Sequence, residues 1–133
     1  EVNINRGLPR LISGDHCRIE NIITNFLSNA IKFSPNGSRV VIHVTWKTIL
    51  CQLTEKRVEI TLSVKDQGPG IPEEHLQQLF DSYMNDHRHE FSKGLQGAGV
   101  GLSISKSLAH LHGGTVSCQS EIGVGSTFRF IIP

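Results

Sequence analysis

Residues 57–66, RVEITLSVKD, alternate without a break: Val58, Ile60, Leu62 and Val64 point one way, and Glu59, Thr61, Ser63 and Lys65 point the other. A strand with one apolar side must be covered on that side and can face water on the other. The cover is written a few residues upstream. Ile19, Ile22, Ile23, Phe26, Leu27, Ala30 and Ile31 fill one face of a helix predicted over 16–33, opened by Asp15 as N-cap and stopped by Ser34-Pro35-Asn36-Gly37. Arg39 to Trp46 alternates as a second strand, and the polar linker between the two reads as a hairpin loop.

Further along, Leu76, Leu79, Phe80 and Tyr83 give a helix over 72–83 with Pro72 near its first turn, and Val100, Ile104, Leu108 and Leu111 mark another that ends at Gly113-Gly114. Two last strands, 115–120 and 126–132, flank the turn at 121–125, while 84–98 has no period and reads as a long loop. Residues 1–13 are mixed, with a short apolar piece around Leu8 to Ile12. The order predicts a two-layer α+β sandwich, helices on one face of a mixed sheet, with no internal repeat.

The 133 residues suffice for one domain with a core. A formal net charge of +1 makes no broad electrostatic case for nucleic acid or an anionic membrane as partner. Apolar runs fall far short of the roughly 20 residues that a membrane span needs, and no signal-peptide pattern opens the chain. Cys17, Cys51 and Cys118 are odd in number and lack CxxC spacing, so a reduced, cytoplasmic setting is expected.

On the side of the first helix away from its apolar face, Arg18, Asn21, Asn25, Asn29 and Lys32 share an arc of roughly 80°. A plain solvated face would be cheaper in Glu, Lys, Gln or Arg, because each Asn costs several tenths of a kcal/mol of helix propensity. Aligned amide oxygens beside a lysine suit a hard divalent cation and an anionic ligand.

Glycine supplies a second signal: ten of the 13 follow Asp66. In DQGPG (66–70) the best strand ends in Asp66, and Gly68 and Gly70 permit close backbone approach, a plausible receptor for a flat polar ring. Gly97, Gly99 and Gly101 lead into a helix, whose unpaired N–H groups and positive dipole end favour phosphate. A P-loop is excluded, since no GK[ST] occurs, and Leu102 stands where a dinucleotide fingerprint needs its third glycine. The protein-kinase signatures HRD and DFG are absent as well.

Taken in order, these segments resemble the ATP-binding catalytic domain of sensor histidine kinases, within the ATPase superfamily that includes gyrase and mismatch-repair proteins. DHCRIENIITNFLSNAIKF (15–33) is similar to the N box, DQGPGI (66–71) to the G1 box, LFDSY (79–83) to a divergent F box, and GAGVGLSI (97–104) to the G2 box. GVGSTFRF (123–130) is similar to the closing glycine turn and strand.

The resemblance implies a Bergerat-type sandwich, a mostly antiparallel mixed sheet of about five strands under three helices. It implies ATP and Mg²⁺ as ligands. Asn29 would bind the metal, Asn25 would support metal and phosphates, and Lys32 would reach a phosphate. Asp66 would accept from the adenine amino group with Ser126 assisting through water. Phe33, Ile71 and Leu102 would line the base pocket beside Gly68, Gly70 and Val100. Residues 84–98 would form a lid, with Arg88 or Lys93 touching phosphate and Gly97, Gly99 and Gly101 as hinges. ATP-hydrolysing members carry a glutamate where this chain has Asn25, and Glu20 lies on the far side of the helix, so a kinase is implied rather than a hydrolase.

The acceptor histidine would lie on an upstream dimerisation hairpin domain, with a response-regulator receiver downstream. This fragment would be monomeric, without nucleic-acid or direct membrane contact, from a parent either soluble or membrane-anchored. His89-Glu90 imitates the acceptor dipeptide but sits in the loop, and His110 and His112 read as solvated rather than zinc-binding. A true ATPase and a non-catalytic nucleotide-binding module are the competing readings.

Overall fold

The computed structural model of the chain describes residues 1–8, 12–51, 55–81 and 98–133. The elements run β1 (Val2–Ile4), α1 (His16–Phe33), β2 (Val41–Cys51), β3 (Glu55–Lys65), α2 (Glu73–Leu76), α3 (Ala98–Leu111), β4 (Thr115–Glu121) and β5 (Gly125–Ile132). Five strands form one sheet in the order β1-β2-β3-β5-β4. β1 pairs with β2 in parallel and all other pairs are antiparallel, so the expected mixed, mostly antiparallel sandwich is what forms.

The alternation in β3 does the work expected of it. Ile60, Leu62 and Val64 are buried, and they join Phe128 and Phe130 of β5 beneath Ile22, Phe26 and Ala30 of α1. Phe26 packs on Phe128 at 5.5 Å between ring centroids, and Phe80 meets the same ring edge-on at 6.4 Å. Each large apolar side chain withdrawn from water contributes about 1.5–3 kcal/mol. Asp15 caps α1 by accepting from Arg18 N (3.3 Å), and Ser34, just before Pro35, ends it.

Four expectations need correction. Of the segment expected as a helix over 72–83, the described residues 72–81 form only the single turn α2 with turn residues after it, yet Leu79 and Phe80 still reach the core. The linker at 47–56 is mostly strand, because backbone pairing continues from Lys47↔Glu59 to Cys51↔Glu55 where side-chain alternation gives out. Residues 2–4 form an edge strand that three residues cannot announce by pattern. Ile31, placed on the apolar face of α1, is 69% exposed, because it lies past the edge of the sheet-facing arc.

Of the stripe that marks α3, Leu108 packs against the core but Ile104 and Leu111 turn away from it. Ile104 and Leu111 are 46% and 66% exposed, and the residues that α3 buries are Leu102, Ser105 and Ala109. The helix takes in the glycine run from Ala98 onward, so Gly99 and Gly101 are helical rather than a loop leading up to it.

Candidate nucleotide site

Along α1 the asparagine stripe sinks progressively: Asn21 is exposed, Asn25 half-buried and Asn29 only 9% exposed. No described residue hydrogen-bonds the Asn29 amide. It borders a narrow cleft, partly open to solvent, together with Asp66 at the end of β3 and Ser126 on β5. Phe33, Ile71, Leu102 and Phe128 give that cleft apolar walls, and Pro69 and Gly70 form its lip. Thus Asn29, Phe33, Asp66, Gly70, Ile71, Leu102 and Ser126, singled out from four separate segments, come together around one hollow.

Asp66 is 4% exposed. Its Oδ1 accepts from Gly68 N at 2.8 Å and Ser126 N at 3.1 Å, while no described group pairs with Oδ2. Burial raises its pKa above the usual aspartate value, and the two backbone N–H groups only partly oppose that. A half-satisfied buried carboxylate on an apolar floor is suited to accept from a flat ring bearing an amino group.

The glycines around Asp66 serve the chain first. Gly70 sits at φ +79°, where a Cβ would collide with the Glu121 carbonyl, and Gly125 sits at φ +137°, where a Cβ would collide with the Asp66 carbonyl. Side chains at either place would separate the end of β3 from the β4–β5 turn. The same seam holds Gly123 N on Pro69 O (2.8 Å) and Asp66 N on Ser126 O (2.9 Å).

Asn25 does not line the cleft. Its Nδ2 donates to Gly101 O and to Ser105 Oγ, both at 3.1 Å, and Ser105 Oγ donates to Gly101 O at 2.9 Å. The amide therefore ties α1 to the first turns of α3. Sequence reasoning missed Ser105, whose only signal is a hydroxyl on the buried side of a helix. Lys32 is exposed, with Nζ 5.4 Å from the centroid of the Phe33 ring. Glu20 borders a separate hollow with Ile12, His16 and Ile23, away from Asn29. Arg88, Lys93, Gly97 and the lid expected at 84–98 fall outside the described residues, apart from Ala98 at the start of α3. Of Gly99 and Val100 the helical backbone alone is described.

His112, expected in solvent, is half-buried and bonded at both ring nitrogens: Nδ1 to Leu108 O (3.0 Å) and Nε2, as acceptor, to Asp15 N (3.2 Å). Burial and the nearby Asp66 carboxylate push the Cys118 thiol up to about 12, against the pull of Arg129, which keeps it protonated and inert. Among the described residues no cluster of three or more His, Cys, Asp or Glu could hold a metal, and no helix is long and apolar enough to cross a membrane.

An open sandwich whose cleft joins an asparagine-bearing helix to a glycine-flanked buried aspartate is suited in shape and donor set to a nucleotide. Over residues 14–133 the chain matches the family of histidine kinase-, DNA gyrase B-, and HSP90-like ATPases, and it belongs to that family.

Hybrid signal transduction histidine kinase B of Dictyostelium discoideum is 43% identical over 130 residues, which cover 98% of this chain and 6% of that protein. Histidine kinase 5 of Arabidopsis thaliana is 37% identical over 152 residues, covering 100% of this chain and 16% of the relative. The mycobacterial sensor histidine kinase MprB shares the fold with a TM-score of 0.71 at 26% identity, over 100% of this chain and 79% of that one. Full-length ShkA in complex with AMPPNP gives 0.70 at 26%, over 99% of this chain and 25% of that one. The chain thus spans a small part of these curated relatives, which are histidine kinases, and across that part it is a histidine-kinase-type domain of the ATPase family.

Proposed function

We propose that the domain binds ATP with Mg²⁺ and transfers the γ-phosphoryl group to a histidine on a separate dimerisation hairpin domain of the same parent. The observation that carries this is the meeting of Asn29 and Asp66 in one cleft. The donor set fits. Asp66 Oδ2 accepts from the amino group of the base; Ile71, Leu102 and Phe33 sandwich or wall the ring; and the Asn29 amide oxygen, proton-free and uncharged, completes the shell of a cation held mainly by phosphates. When bound, the magnesium ion neutralises triphosphate charge. Lys32, exposed beside Phe33 at the end of α1, is free to swing its ammonium from that ring to a phosphate.

Asn25 can neither take a proton nor turn its amide nitrogen away from α3 without losing two hydrogen bonds, and Glu20 opens on another hollow. No described carboxylate other than Asp66 borders the cleft to activate water. The chain therefore positions and shields its ligand, which suffices when the acceptor is a good nucleophile such as imidazole. A response-regulator receiver would take the phosphoryl group onward; the fragment itself acts as a monomer inside the cell.

Mixing the domain with its hairpin partner, Mg²⁺ and γ-labelled ATP should give acid-labile, alkali-stable label on histidine. Asn29→Ala should reduce that label at least about 100-fold while leaving the melting temperature of the empty domain unchanged. Fast hydrolysis by the isolated domain, or undiminished Mg²⁺-ATP binding by Asn29→Ala in calorimetry, would overturn the reading.

A further inference from the structure

Ser120, on the last turnward stretch of β4, is half-buried one layer behind the cleft. Its hydroxyl has three partners: Ile71 N at 2.8 Å, Gly125 O at 3.0 Å and Ser126 Oγ at 2.8 Å. A hydroxyl has one proton and two lone pairs. Ile71 N can only donate and Gly125 O can only accept. All three contacts are hydrogen bonds in one arrangement alone, in which Ser120 gives its proton to Gly125 and receives from both Ile71 N and the Ser126 hydroxyl. The Ser126 proton is thereby drawn away from the cleft that Ser126 borders. What Ser126 offers the cleft is lone pairs, and the Asp66 carboxylate, which lines the same cleft, brings acceptors too.

We infer that Ser120 is a positioning residue for base specificity: by holding the Ser126 proton it makes the floor of the cleft acceptor-only, which admits a 6-amino purine and rejects a 6-keto one. The inference rests on the reading of this cleft as an adenine site. A keto oxygen placed there meets the Asp66 and Ser126 oxygens and finds no donor, and unpaired buried acceptors discriminate more strongly than lost apolar contact. With Ser120 truncated, the Ser126 hydroxyl can rotate and donate to that keto oxygen.

The test compares ATP with inosine triphosphate, which carries oxygen in place of the 6-amino group and a proton on the neighbouring N1 and shares every phosphate contact. The N1–H is the same for every variant, so the change in preference between variants reports on the keto oxygen. Affinities are measured by calorimetry at mildly alkaline pH. The unmutated chain should prefer ATP. Ser120→Ala should lower that preference about five-fold, the value of one hydrogen bond, and Ser120→Thr, which keeps the hydroxyl, should restore it. Ser126→Ala, which removes the opposing lone pairs but supplies no donor, should lower the preference less, and adding Ser120→Ala to it should change the ratio no further, so the case stands even where Ser120→Ala alone folds poorly. Equal weakening of both nucleotides with an unchanged ratio, failure of Ser120→Thr to rescue, or additive losses in the double variant would each overturn the inference. An unmutated chain that binds ATP no better than the inosine nucleotide would instead overturn the adenine reading itself.

Discussion

The Asp66 carboxyl is asked to do two opposed things, to be buried and to remain an acceptor. Two backbone N–H groups hold Oδ1, but burial outweighs them and the pKa lies above the ordinary value of 3.8. For an acid raised in the folded state, protonation favours folding, so this group's contribution falls as pH climbs from the unfolded value through the folded one. At neutral pH the empty domain carries that charge at a cost. Asp66→Asn should therefore raise the melting temperature of the empty domain by a few degrees near neutrality, with the gain shrinking toward about pH 4, while ATP affinity drops at least about ten-fold. Calorimetric scans at several pH values with and without nucleotide would show both. Asp66 and Asn29 were legible because each is an expensive choice for its place, an acid closing an apolar strand and a poor helix former at regular spacing. Ser120 left no such trace, since its role exists only once the β4–β5 register sets it opposite Ser126.

Between elements, side chains tie α1 to α3 at both ends. Asn25 supplies two donors to Gly101 O and Ser105 Oγ, and His112 closes the other end on Asp15. Asn25→Asp would set a carboxylate against a carbonyl. It should cost about 1–3 kcal/mol near neutral pH, and less in acid, where the protonated carboxyl can donate again; its pKa rises in the fold, so the penalty grows with pH. Denaturant titrations at two pH values would measure this. The stripe at Val100, Ile104, Leu108 and Leu111 revealed a helix but not its orientation, because a helix laid on the sheet through small residues such as Ser105 and Ala109 can leave larger ones outside. The short β1 and α2 were illegible for a plainer reason: neither spans a full repeat of any pattern.

At the scale of the whole molecule, β5 lies between β3 and β4 although every other described element precedes it in the chain. The cleft floor is stitched across that insertion by Asp66, Ser126 and the Gly70–Glu121 contact. Gly70→Ala, strained by its positive φ and blocked by the Glu121 carbonyl, should lower stability by about 2–4 kcal/mol and weaken nucleotide binding with it; chemical denaturation in parallel with calorimetry would test the pair. The alternating strand and the covering helix made this two-layer architecture readable, whereas the strand order depended on long-range pairing that no local pattern encodes. The order also governs biosynthesis. A ribosome extrudes α1 and the Asp66 turn well before Phe128 and Phe130, so the cleft proposed to receive a purine stays unfinished in the newborn polypeptide until the β4–β5 hairpin docks on the edge of β3.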